Sequence, residues 1–156
     1  MSVRLEVDLD SHVGVALRYA YQRAVATMTE AICGSQLTAI QVSVLARLHE
    51  RGPTTQNRLG RSLGMEPANV HEVIQRLARR GLVAVEPSPD DRRAVLVSLT
   101  ESGRDLLGWV WPRAEAANQR TLSVLTGEER ELLADMLRRL AEGPDANREA
   151  SAPGDR

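Results

Sequence analysis

The hydrophobic period of this chain changes twice, and those changes leave few folds open. Up to Gly81 apolar residues recur every three to four positions, the period of a helix facing a core. Two short apolar runs follow, residues 82–86 and 94–99, with the spacing and composition of strands. Between them lies Pro87-Ser88-Pro89-Asp90-Asp91-Arg92-Arg93, a segment of turn formers and charge that predicts a hairpin with a mobile tip. From Thr100 the helical period returns and persists almost to the end.

The individual elements follow from their caps. A helix is expected over residues 11–33, with Leu17, Tyr21, Val25, Met28 and Ile32 on one stripe, Ser11 or Asp10 as cap and Gly34 as stop. A second runs from Thr38 to Arg51 and closes at Gly52-Pro53. A third starts at Thr54 or Thr55 and ends before Gly64. The fourth carries Pro67 in its first turn, turns Val70, Val73, Ile74 and Leu77 inward, and ends at Gly81. Beyond the hairpin, a long helix from Thr100 is expected to kink at Pro112. Thr126-Gly127-Glu128-Glu129 is a capping box opening a last helix with Leu132, Leu133, Met136, Leu137 and Leu140 inward. The small, polar residues 143–156 are expected to be disordered, and residues 1–10 to form an N-terminal arm.

Composition narrows the class further. The 156 residues include two Trp, two Tyr and no Phe, so the core must be aliphatic, which suits packed helices. No apolar run approaches the ~18 residues of a membrane span, and nothing at the N-terminus reads as a signal peptide. The single cysteine, Cys33, cannot form an internal disulfide, which fits a cytoplasmic location. Collagen-like, membrane-spanning, secreted-scaffold and fully disordered classes are excluded. The net charge of −1 hides a pattern: residues 51–93 hold eight Arg against five acids, while both flanking segments are net acidic. Lys is absent. A GC-rich genome writes such a bias, and each cation then carries a planar fork suited to phosphates and base edges.

Two helices bridged by Ser62-Leu63-Gly64-Met65-Glu66 fit a helix-turn-helix, and the hairpin adds a wing. The fold class is thus mainly α: a winged helix-turn-helix over residues 37–99, with a helical dimerisation region from both chain ends, residues 11–36 and 100–142. With its apolar residues inward, the fourth helix presents Ala68, Asn69, His71, Glu72, Gln75 and Arg76 outward. These side chains suit adenine, guanine and cytosine edges, and the small Ala suits a thymine methyl. The helix N-terminus adds free N–H groups for phosphate. A plain solvated amphipathic helix is the alternative. Thr55, Gln56 and Arg58, at the start of the preceding helix, are candidates for backbone phosphate, with solvated surface the alternative for Arg58.

Leu37-Thr38, Gly81-Leu82-Val83, and Asp91-x-Arg93 followed by Leu99-Thr100 and Gly103 resemble the MarR family of bacterial regulators, over about residues 11–142. More narrowly, Leu17-Arg18 with Gln22-Arg23, and residues 56–61, are similar to members that sense small aromatic acids; Tyr21 stands where such members often have His. The resemblance implies that Arg93 at the wing tip enters the minor groove, that Asp91 holds it by a charge-assisted hydrogen bond, and that Arg92 meets a phosphate. A solvated turn is the alternative. It also implies a homodimer on an inverted-repeat operator, released by a small molecule, with transcription repressed. Arg18 or Arg23 would pair a carboxylate and Tyr21 would stack on the ligand, although ordinary packing also explains the aromatics.

No enzyme is expected. His12, His49 and His71 lie on different elements, with no metal-ligand spacing and no Gly-rich phosphate loop, so no catalytic residues, metal or cofactor are expected. Cys33 is expected to be a small buried hydrophobe, a redox-sensing thiol being one alternative. A winged-helix module that docks protein in place of DNA is the other.

Overall fold

Residue 38 begins the first element of the central unit, and it shows how local chemistry sets the boundaries. The Gln41 N–H donates to Thr38 Oγ1 at 3.4 Å while the Thr38 N–H donates to Gln41 Oε1 at 2.9 Å, a reciprocal cap for α2 (Ala39–Arg51). The protein is described here by a computed structural model covering residues 8, 9, 11–89 and 94–149, of which 144–149 as backbone. Helix α1 (Val13–Ala31) precedes α2. After α2 come β1 (Thr54–Thr55), α3 (Gln56–Ser62), α4 (Pro67–Arg79), β2 (Val83–Pro87), β3 (Val95–Leu99), α5 (Glu101–Thr121) and α6 (Gly127–Glu149). Thr55 caps α3 by accepting from the Arg58 N–H, and Pro67 starts α4. The capping box of α6 forms as expected, with the Thr126 N–H donating to Glu129 Oε2 at 2.7 Å.

The three strands form an antiparallel sheet in the order β1-β3-β2, with Val85 opposite Val97 and Thr54 also opposite Val97. Strand β1 is an addition to the expected hairpin. Gly52, at φ 74°, turns the chain so that Thr54 and Thr55 lie along β3. Two residues are too few to show a period.

Val44, Leu45 and Leu48 of α2, Leu59 of α3, Val70, Ile74 and Leu77 of α4, Val97 of β3 and Val110 of α5 make one buried cluster. It is aliphatic, as the lack of Phe requires. Each such side chain contributes about 1.5–3 kcal/mol when taken from water. The four aromatics lie outside it: Tyr19, Tyr21, Trp109 and Trp111 are all exposed.

Two expectations, the cap of α1 and the burial of Cys33, are corrected. Helix α1 has His12 at its N-cap with no side-chain cap; Ser11 instead bonds back to Asp8 in the preceding turn, and Asp10 lies outside the described residues. Helix α5 includes Pro112, where the kink is expected, and continues to Thr121. The position four residues before the proline, where its ring presses on the carbonyl, is Gly108, which has no side chain to add to the crowding. The chain from 143 is helical as far as Glu149, after a break at Gly143 (φ 71°, ψ −179°). Gly143 takes the left-handed turn and Pro144 suits a helical first turn. Residues 150–156 of the expected tail, and all but Asp8 and Leu9 of the N-terminal arm, lie outside the described residues. Finally, Cys33 is exposed. Its neighbour Ile32, 1% exposed, takes the inward position at the end of α1, which turns the next side chain outward.

The chain separates into two compact units, Met1–Arg120 and Thr121–Arg156. In the second, Arg130 Nε donates to the carbonyls of Leu122 and Leu125 at 3.0 and 3.1 Å, closing the turn ahead of α6.

Candidate nucleic-acid interface

Helix α4 has two faces of opposite character. Val70, Ile74 and Leu77 are no more than 1% exposed, whereas Ala68, Asn69, His71, Glu72, Gln75 and Arg76 all face solvent. Glu72 and Arg76, one turn apart, are ion-paired, which holds the guanidinium along the helix surface. His71 Nδ1 lies 3.4 Å from Gln56 Oε1, so the start of α3 and the exposed face of α4 form one polar surface. Thr55 and Gln56 are half-buried there, and Thr55 already uses its hydroxyl as a cap.

Two glycines that the period alone does not single out set this geometry. A Cβ on Gly60 would stand 2.6 Å from Val70 Cγ2, so α3 approaches α4 only because residue 60 has no side chain. A Cβ on Gly103 would stand 2.1 Å from the Leu82 carbonyl oxygen, so α5 likewise lies against the chain entering β2. The signal was present in the sequence as glycines inside helical stretches. Thr100 completes that joint: its hydroxyl donates to the Gly81 carbonyl at 2.7 Å and accepts from the Gly103 N–H at 3.0 Å. Arg80, at the end of α4, donates to the carbonyls of Gln36 and Ser35 at 2.7 and 3.0 Å, pinning the turn before α2. Gln36 there has φ 56°, a left-handed conformation that costs a non-glycine residue energy. The base of the hairpin is held by the Ser88 N–H donating to the Ala94 carbonyl at 2.9 Å. Asp91, Arg92 and Arg93 lie outside the described residues.

The residues expected to bind an effector are not gathered into a cavity. Arg18, Tyr21 and Arg23 are all exposed on α1. At 100° per residue Arg18 and Tyr21 share a face, while Arg23 stands nearly opposite Tyr21. An apolar-lined cleft lies elsewhere, about 710 Å³ between α2 and α5, with Ala46, His49, Leu63, Arg104, Leu107 and Trp111 in its walls. Among the described residues no His, Cys, Asp and Glu side chains cluster as a metal site, and no helix is long and apolar enough to cross a membrane.

Comparison with known proteins agrees with this geometry. The model of the MarR family matches residues 37–95, the span from the cap of α2 to the start of β3. The HTH-type transcriptional repressor NicR of Pseudomonas putida is 36% identical over 138 residues, 88% of this chain and 87% of the relative. Among solved structures, Bordetella bronchiseptica BpsR, whose DNA binding is regulated by 6-hydroxynicotinic acid, is 37% identical. It superposes with a TM-score of 0.84 over 89% of this chain and 99% of that one. The PcaV transcriptional regulator of Streptomyces coelicolor, in complex with its natural ligand, is 29% identical with a TM-score of 0.82, covering 89% and 98%.

Proposed function

Since the chain belongs to the MarR family of transcriptional regulators, we propose that it represses transcription as a homodimer on an inverted-repeat DNA operator and leaves it when a small aromatic or heteroaromatic carboxylate binds. The observation that carries the DNA reading is the two-faced α4. Its buried face anchors it to the core, and its outer face offers His71, Gln75, Asn69 and Arg76 as hydrogen-bonding side chains at the width of a major groove. Ala68 and Glu72 lie among them, and Thr55 and Gln56 add phosphate contacts at the start of α3. On this reading Arg93 enters the minor groove, steadied by Asp91, and Arg92 meets the backbone.

Apolar surface supports the homodimer. Val13, Leu17 and Tyr21 stand exposed at four-residue spacing on α1, as do Leu132, Met136 and Leu140 on α6. A two-fold pairing would cover such stripes and set two copies of α4 about 34 Å apart, one DNA turn. Residues 11–36 and 100–142 thus serve as the dimerisation region and 37–99 as the DNA-binding region. The effector class is supported by BpsR, a relative regulated by a pyridine carboxylate. Arg18, Tyr21 and Arg23 are proposed as its contacts in the assembled dimer, Arg18 or Arg23 meeting the carboxylate and Tyr21 the ring.

Fluorescence anisotropy with a duplex selected from a random inverted-repeat pool tests this reading. Affinity should fall steeply between about 50 and 200 mM salt as counterions are released. Saturating 6-hydroxynicotinate or a substituted benzoate should weaken it by about 5–150-fold, a coupling of about 1–3 kcal/mol. The duplex must weaken ligand binding by the same factor. Salt-insensitive binding without sequence preference would favour the protein-docking module.

A further inference from the structure

One charged groove of the winged helix is left over by the contacts above. It lies between the C-terminal half of α2 and the outer side of α3, about 520 Å³, lined by Arg47, Arg51, Thr54, Arg58, Arg61 and Ser62. Residues 51–65 contain three Arg and no acid. Arg51, Arg58 and Arg61 are exposed, and among the described residues none of them is ion-paired. Arg47 is the exception: its Nη1 is paired with Glu50 at 2.7 Å and its Nη2 reaches the Ser62 carbonyl at 3.5 Å, while its Nε is buried without an acceptor. Arg47 therefore braces the floor of the groove, and the other three guanidiniums keep their donors free at its rim.

Like charges left unpaired on one short surface repel one another, so this arrangement is stabilised by whatever anion neutralises it. The rim guanidiniums stand on two helices along an open groove. That layout suits a chain of anions better than a single small one, which needs donors converging on one enclosed point. The groove also begins at the end of α3 that carries Thr55 and Gln56, next to the surface proposed to face DNA.

We propose that this groove binds the phosphodiester backbone of DNA outside the inverted repeat, with Arg51 and Arg61 as phosphate contacts distinct from those of α4 and the wing. The inference rests on the DNA-binding reading and extends it: the protein holds more duplex than it reads. Such contacts add affinity and salt dependence without sequence preference.

The test compares wild type with the double variant Arg51→Gln, Arg61→Gln on two probes. One is the selected inverted repeat trimmed to its ends; the other carries ten added base pairs of arbitrary sequence on each side. Wild type should bind the extended duplex about tenfold more tightly at low salt, with a steeper salt slope by about one unit per added phosphate contact. The variant should bind the trimmed duplex as wild type does and lose the gain from the flanks. A thermal melt matching wild type excludes a folding defect. Equal affinity of wild type for both duplexes overturns the proposal while leaving the DNA-binding reading intact, as does an equal loss by the variant on both. Failure of wild type to bind any selected duplex overturns both. Inorganic pyrophosphate provides the last arm: if calorimetry shows it binding wild-type groove arginines with micromolar affinity, and the flanks have no effect, the groove serves a free anion and the DNA assignment falls.

Discussion

Helices α2 and α4 and helices α1 and α6 are built from similar aliphatic residues, yet they end in opposite environments. Leu45, Ile74 and Leu77 are fully buried within the chain. Helix α1 buries no residue from Val13 to Ala31, and α6 buries none of its described side chains. Both pairs carry apolar residues at helical spacing, so the difference lies in what each stripe meets. The stripes of α2 and α4 meet each other, α3 and the three-stranded sheet. Those of α1 and α6 retain large exposed side chains, among them Leu17 at 40%, Met136 at 42% and Leu132 at 57% exposure. A helix of that kind gains little from its own chain and depends on a second surface. The winged helix closes its core within the chain, with Leu107, Val110 and Ala114 of α5 completing it, whereas α1 and α6 leave large apolar side chains uncovered.

The largest effects should come from breaking the region with the closed core. Leu45→Ala removes a fully buried side chain from the centre of the cluster and should cost about 2–5 kcal/mol, measured by urea denaturation. Gly103→Ala drives a methyl into the Leu82 carbonyl, a backbone group that cannot swing aside, and should be at least as damaging as ordinary overpacking, about 1–3 kcal/mol. Unchanged denaturation midpoints for both would show that the core is looser than its packing.

A second experiment addresses the terminal helices. Leu17→Glu with Met136→Glu places charges on surfaces that are already exposed in the single chain, so the winged helix should keep its core. The proposed dimer should dissociate, since an interface that buries unpaired carboxylates is penalised by several kcal/mol. Sedimentation reads the mass and circular dichroism the helix content. A variant that remains dimeric would move the interface away from these stripes and weaken the comparison between the two regions.

Smaller in energy but sharper in meaning is the exposed face of α4. His71→Ala or Gln75→Ala should leave stability within about 0.5 kcal/mol, as expected for surface positions. Each should change base preference at one operator position by about 1–3 kcal/mol if the contact is bidentate. Selection of preferred duplexes by each variant is the readout. Identical preferences for wild type and both variants would remove base reading from this face.

Much of this architecture was legible in the chain because it depends on neighbours within four residues. The caps at Thr38, Thr55 and Thr126, the start at Pro67, the stop at Gly81 and the two-faced α4 all follow from local hydrogen bonding and a 3.6-residue period. So does the aliphatic core, which the missing Phe leaves as the only choice. What the tertiary structure decided are contacts between distant segments. Strand β1 exists because Thr54 and Thr55 meet Val97 and Leu96, and two residues carry no period of their own. Cys33 faces outward because Ile32 fills the space beneath it. Gly60 and Gly103 matter through Val70 and Leu82, and Arg80 through carbonyls 44 and 45 positions away. Arg47, Arg51, Arg58 and Arg61 read as scattered charges along two helices and become one groove only when α2 and α3 pack together. Short-range torsions and periodicity write secondary structure into sequence; which side chains share a surface is set by packing, a property of pairs far apart in the chain.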